Sequence, residues 1–212
     1  MAKLIWGIPL RIFHWGLVIL LGISFYTGYF GEFDSIDTHM LAGYGVLTLL
    51  IFRLSFGFIA GGYARFSNFI KGPKATIAYV KAPLETPGHN PLGGLAVLAM
   101  LGILSIQVGT GLFATDDIFV DGPLNHLVSS DTAGLLTQIH EVNQRVLLAL
   151  ITLHLLAIAI HEWRLGHRLL LPMITGKKKL KGDTEVGQHQ ISLALACLGL
   201  GLAVTYILVN KI

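Results

Sequence analysis

Long apolar runs broken by short polar segments dominate this chain. Five of them approach the roughly 20 residues a helix needs to cross a bilayer. They cover 10–30, 38–60, 93–114, 137–162 and 190–209. Pro9 suits the first turn of the first helix. Pro91 follows an expected Asn90 cap, and Pro172 follows the fourth span. The pattern predicts one all-α integral membrane protein without internal repeats.

Polar residues between the runs orient the chain. Lys3 and Arg11, then Arg65, Lys71, Lys74 and Lys81, then Arg164, Arg168, Lys177, Lys178, Lys179 and Lys181 fall in alternate segments and belong on the cytoplasmic side. The intervening loops, 31–37 and 115–136, contain Glu32, Asp34, Asp37, Asp116, Asp117, Asp121 and Asp131 and neither Lys nor Arg. They are expected outside. This places the N-terminus on the cytoplasmic side and the C-terminus on the outer side. No small-residue cleavage pattern follows Lys3, which argues against a cleaved signal peptide.

Composition agrees with lipid as the solvent: 53% of residues are hydrophobic and 13% charged, where a soluble domain has roughly 25% charged. The net charge of +3 is explained by topology and gives no reason to invoke nucleic acid. One cysteine, Cys197, excludes a disulfide framework or an iron–sulfur cluster built from this chain alone.

Histidine carries the candidate chemistry. His140 and His154 lie fourteen residues apart, which at about 100° per residue returns them to one stripe of the fourth span, about 21 Å apart along its axis. Topology gives each a partner at its own depth. His14 enters the first span from the inside and matches His154; His39 begins the second span at the outer surface and matches His140. Two histidines per level suit haem, which supplies four equatorial nitrogens and needs two axial ligands, whereas zinc or non-haem iron wants more protein ligands. Gly16, Gly22, Gly102, Gly109 and Gly111 would admit a flat macrocycle or serve ordinary helix packing.

Three arginines are further candidates. Arg11, one turn before His14, suits a haem propionate or a topology signal. Arg53 returns to the His39 stripe at the inner end of the second span and favours a propionate contact. Arg145, in the outer half of the fourth span, is a functional candidate or a helix partner of Glu141 four residues earlier. His161, seven residues after His154, is a rival for the inner iron. His89 is expected in turn or cap chemistry. His126, within LNHLV, is expected on a short surface helix with a quinone or partner contact, and His167 and His189 are interfacial.

The segments RIFHW (11–15), HMLAGYG (39–45), FRLSFGF (52–58), GHNPLGG (88–94), TGLFATDDI (110–118), GPLNHLVS (122–129) and HEVNQRVLLALITLH (140–154) occur in order through spans one to four. Through them the chain resembles the bacterial cytochrome b561 and nickel–iron hydrogenase b-type cytochrome family, closest to its cytochrome b/b6-domain branch. The resemblance implies a four-helix transmembrane bundle holding two haem b groups, each between the fourth span and the first or second. It also implies electron transfer between ubiquinone or menaquinone and a periplasmic partner such as a c-type cytochrome or a hydrogenase. Residues 1–175 then form the dihaem domain, 176–189 a basic cytoplasmic linker and 190–212 a fifth transmembrane helix.

Two other readings remain open. A superoxide:quinone oxidoreductase should attract a small anion at its outer face, and the acidic outer loops work against that. A non-redox transporter or scaffold would use paired histidines for zinc or protons.

Overall fold

The computed structural model describes residues 2–31, 35–179 and 188–211. Glu32, Asp34 and Lys181, read above as topology signals, lie outside the described residues. A short strand β1 (Ala2–Leu4) precedes helices α1 (Ile8–Phe30) and α2 (Ile36–Ile59). Short helices α3 (Phe66–Phe69) and α4 (Pro73–Lys81) lead to α5 (Pro91–Gly111). Then follow α6 (Ser130–Trp163), α7 (Leu170–Thr175), strand β2 (Lys177–Lys179) and α8 (Ile191–Asn210). Among the described residues, α1, α2, α5, α6 and α8 are long and apolar enough to cross a membrane. Among the described residues the fold is all-helical apart from one small strand pair.

The helix starts follow local chemistry. Pro9 occupies the first turn of α1. The Asn90 side chain accepts from Gly93 N at 2.7 Å ahead of Pro91, so the expected cap is present. Ser129 caps α6 by accepting from Thr132 N, with Asp131 in the first turn. That cap starts the helix at Ser130 rather than 137. At 34 residues, α6 is about 51 Å long, against a hydrocarbon core of about 30 Å. It is longer than a single crossing needs. At its far end Glu162 Oε1 accepts from Leu169 N and Leu170 N at 2.6 and 2.7 Å, turning the chain into α7. LNHLV forms a single 3-10 turn at Asn125–Leu127 rather than a surface helix.

Helix α2 is the hub. It packs along α1 on one side and α8 on another and also meets α5, which runs along α6. Leu10, Phe52, Phe56, Ala194 and Cys197 form one buried cluster where α1, α2 and α8 meet. Val46, Leu50, Phe66, Phe69, Leu101, Leu104 and Leu147 form a second, joining α2, α5, α6 and α3. Small residues allow α8 to approach closely: a Cβ on Gly201 would meet Thr48 O at 2.6 Å, and the buried Thr48 and Thr205 hydroxyls hydrogen-bond at 2.9 Å. Outward-facing apolar side chains such as Ile12, Ile19, Leu153, Leu156 and Leu195 are exposed, as lipid-facing residues are.

The three basic segments converge at one end of the bundle. β1 pairs antiparallel with β2, aligning Lys3 with Lys178. Lys178 is buried, donates to Thr86 O at 2.9 Å and pairs with Glu85 at 3.1 Å. Arg11 Nη1 donates to Ile174 O at 2.6 Å and Trp15 Nε1 to Met173 O at 3.2 Å. The N-terminal segment, the loop between α2 and α5 and the segment after α6 thus share one polar cap.

Candidate functional site

Near the opposite end, His39 of α2 and His140 of α6 face each other with ring centroids 6.2 Å apart and planes at 78°. Each ring is held through Nδ1. His39 Nδ1 lies 3.0 Å from Ser24 O and 3.2 Å from Thr27 Oγ1, both on α1. His140 Nδ1 lies 2.9 Å from Gln107 O on α5, with Thr110 Oγ1 at 3.4 Å. An Nδ1–H donated to a carbonyl fixes the tautomer and leaves Nε2 with a lone pair, the form a metal takes. Two glycines make room for the rings. A Cβ on Gly111 would meet His140 Cε1 at 2.9 Å, and one on Gly28 would meet His39 Cε1 at 3.2 Å.

A cavity of about 260 Å³ opens beside this pair, lined mainly by apolar residues of α1, α2 and α5 and by Thr115, Asp116 and Pro123 of the following loop. Gln107 projects into it. Its Nε2 lies 3.0 Å from His140 Nε2, while its Oε1 accepts from Asn143 Nδ2 at 2.7 Å. His39 and His140 would be the residues to hold a haem iron between them, since a metal–nitrogen bond of about 2 Å to each ring suits a centroid separation of this size. Binding at His140 Nε2 would require the Gln107 amide to swing off that lone pair.

At the polar-cap end, His14 and His154 are near enough to interact electrostatically, and both are half-buried. His14 Nδ1 is buried without a hydrogen-bond partner. Arg53 is buried, with Nη1 donating to Ala64 O at 3.3 Å and its guanidinium carbon 4.4 Å from the Phe66 ring centroid. His89 joins this group, although the sequence suggested only a turn role for it. Its ring lies edge-on to Trp6 at 4.8 Å and tilted against Phe69 at 4.5 Å. Burial above all, then the charges of Arg53, His154 and His14, push the His89 pKa down to about 3, so the ring is neutral.

The other expected residues divide by location. Arg11 sits in the polar cap, with Nη1 on α7 and Nε buried and unpartnered. Arg145 and Glu141 are exposed on α6, and Arg145 does not line the cavity. His161 Nδ1 meets His167 Nδ1 at 3.2 Å in the polar cap. His189 Nδ1 accepts from Ile8 N at 3.2 Å, giving α1 the cap that Gly7 lacks. His126 lies in the 3-10 turn after the cavity-lining Gly122 and Pro123.

Sequence reasoning missed Gln107, Thr110, Asn143, Ser24 and Thr27, the residues that orient the outer pair. Gln107 and Thr110, three positions apart in a third span whose other hydroxyl is Ser105, were the available signal.

These features define a class: a polytopic helical membrane protein that pairs histidines across its helices. The family model of prokaryotic cytochrome b561 matches residues 5–176, and the chain belongs to that family. It is therefore a membrane b-type cytochrome of electron transfer. No match was found among curated proteins or among solved structures. The matched region includes α1, α2, α5 and α6 and stops before α8.

Proposed function

We propose that this chain is a dihaem cytochrome carrying electrons between the quinone pool and a periplasmic redox partner, a c-type cytochrome or a hydrogenase-like protein. The observation that carries this reading is the His39–His140 pair, whose separation and tautomers suit axial ligation. His14 and His154 are its counterparts towards the polar cap. Haem b supplies a one-electron iron couple at each level. The side chains of this chain hold the imidazoles, shape the apolar walls and offer Arg53, and through its Nε Arg11, to acidic groups.

Convergence of the basic segments into one cap supports a cytoplasmic location for that end and an inner-membrane orientation with the N-terminus inside. The dihaem unit is assigned to residues 1–175 and the linker to 176–189. The fifth helix, 190–212, buttresses α2, which carries His39 and Arg53.

Anaerobic addition of a ubiquinol or menaquinol analogue to the oxidised protein in lipid nanodiscs tests the function. The expected result is reduction of the haem absorption bands at a rate that saturates with quinol. Bands that respond to dithionite but to neither quinol remove the quinone half of the proposal. A colourless preparation from haem-sufficient cells removes all of it.

A further inference from the structure

His89 is the buried ionisable side chain that the ligand assignment leaves without a task. Although the residue as a whole is half-buried, Nδ1 is shut off from solvent and has no hydrogen-bond partner. Leaving a buried polar atom unpaired is costly, and an apolar ring would fill the gap between Trp6 and Phe69 without that cost. The ring is nevertheless held firmly in place. A Cβ on Gly94 would meet Phe69 O at 2.7 Å, and one on Gly88 would meet the Tyr63 ring at 2.8 Å, so the backbone on either side of His89 runs tight against its support.

Among the described residues, the groups that act electrostatically on His89 are Arg53, His154 and His14, all basic, with no carboxylate among them. Arg53 has five N–H donors to satisfy, and its hydrogen bond among the described residues goes to one backbone carbonyl at 3.3 Å. The ion pair found among the described residues belongs to Lys178 and Glu85. A buried guanidinium and an unpaired imidazole, with no carboxylate beside them among the described residues, suit an anionic acceptor brought by a bound group. A quinone head group is neutral and would leave the Arg53 charge uncompensated; a carboxylate answers both groups.

We propose that His89 and Arg53 together receive one carboxylate, a propionate of the haem held by His14 and His154, with His89 Nδ1–H and the Arg53 guanidinium as its donors. This inference rests on the dihaem reading above. His89 is a binding residue for the inner haem and sets its electrostatics. Donation to the propionate withdraws negative charge from the iron's surroundings and so favours the ferrous state.

The test uses the haem-loaded full chain and its H89F and H89Q variants, with a potentiometric titration of each haem. H89F keeps an aromatic ring between Trp6 and Phe69 without the donor; H89Q keeps a donor. The expected result is a several-fold drop in the reduction equilibrium constant of the inner haem in H89F, no change at the outer haem, and recovery in H89Q. The effect of H89F should vanish when haem dimethyl ester, whose carboxylates are blocked, replaces haem b. Equal inner-haem potentials in H89F and the unsubstituted protein overturn the proposal while leaving the dihaem reading intact. An unsubstituted protein that titrates with a single haem overturns both.

A second measurement avoids the less conservative variant. In ferrous, diamagnetic protein with ring-¹⁵N histidine and propionate-¹³C haem, solid-state NMR should give a nitrogen–carboxylate contact at hydrogen-bond range that disappears in H89Q. A contact that is absent, or that survives in H89Q, overturns the assignment.

Discussion

His39 and His140 face each other across the helix bundle with ring centroids 6.2 Å apart, each anchored through Nδ1 to a backbone carbonyl of a different neighbouring helix. Four helices therefore take part in one pair: α2 and α6 carry the rings, and α1 and α5 orient them. Such outer partners fix ring direction and tautomer before any ligand arrives.

Gly111 is the tightest point of this arrangement, since a Cβ there would lie 2.9 Å from His140 Cε1 and 3.1 Å from Nδ1. Valine at this position should push the ring off the Gln107 carbonyl, at a packing cost of about 1–3 kcal/mol. The expected outcome for G111V is a fall in haem from two per chain to about one. Gly28→Ala, facing 3.2 Å to His39 Cε1, should show a smaller loss. Pyridine haemochromogen assays against protein concentration check both.

The α2–α8 seam should respond unequally to two substitutions. Thr205→Val removes one side of the 2.9 Å hydroxyl pair, but Thr48 keeps Tyr44 O at 3.0 Å, so the cost should be about 0.6 kcal/mol, the average for a hydrogen bond between membrane helices. Gly201→Leu drives a side chain into the Thr48 carbonyl and should cost about 1–3 kcal/mol. Thermal unfolding in detergent, followed at the haem bands, should rank G201L well below T205V.

The outer loop carries a pH signature. Asp116 Oδ1 accepts from Val120 N, Phe119 N and Ile118 N, and these bonds hold its carboxyl below the ordinary value of 3.8. A depressed folded pKa contributes stability that is present above 3.8 and lost as pH falls through the lower folded value. Amide exchange at 118–120 should therefore be unchanged by this group from pH 7 to pH 4. Asp116→Ala should accelerate it at neutral pH.

Much of the architecture was legible because lipid imposes it. Spans need unbroken apolar length, and Lys and Arg gather on one side, so five helices and their order followed from the sequence. That His39 and His140 would meet at one end of the bundle followed from helical rise and topology. The residues that orient them were harder to see: Gln107 acts through its backbone carbonyl, and Ser24 offers a carbonyl any residue would have. His89 was read as a turn residue because its burial depends on α3, which brings Phe69 to it, and on Trp6 near the N-terminus. Helices of four to nine residues leave little periodic signal. The docking of α8 was equally hidden, since small residues such as Gly201 and Ala194 mark a lipid-facing helix as readily as a packed one.

Haem content and redox titration of His140→Ala and His154→Ala, each beside the unsubstituted protein, decide whether the histidines pair by level. Two haems are expected in the unsubstituted protein and one in each variant. H140A should lose the centre beside the 260 Å³ cavity, and H154A the one near His89; the surviving haem should differ in potential between them. Two haems retained in either variant, or the same haem lost from both, would contradict the pairing of His39 with His140 and His14 with His154.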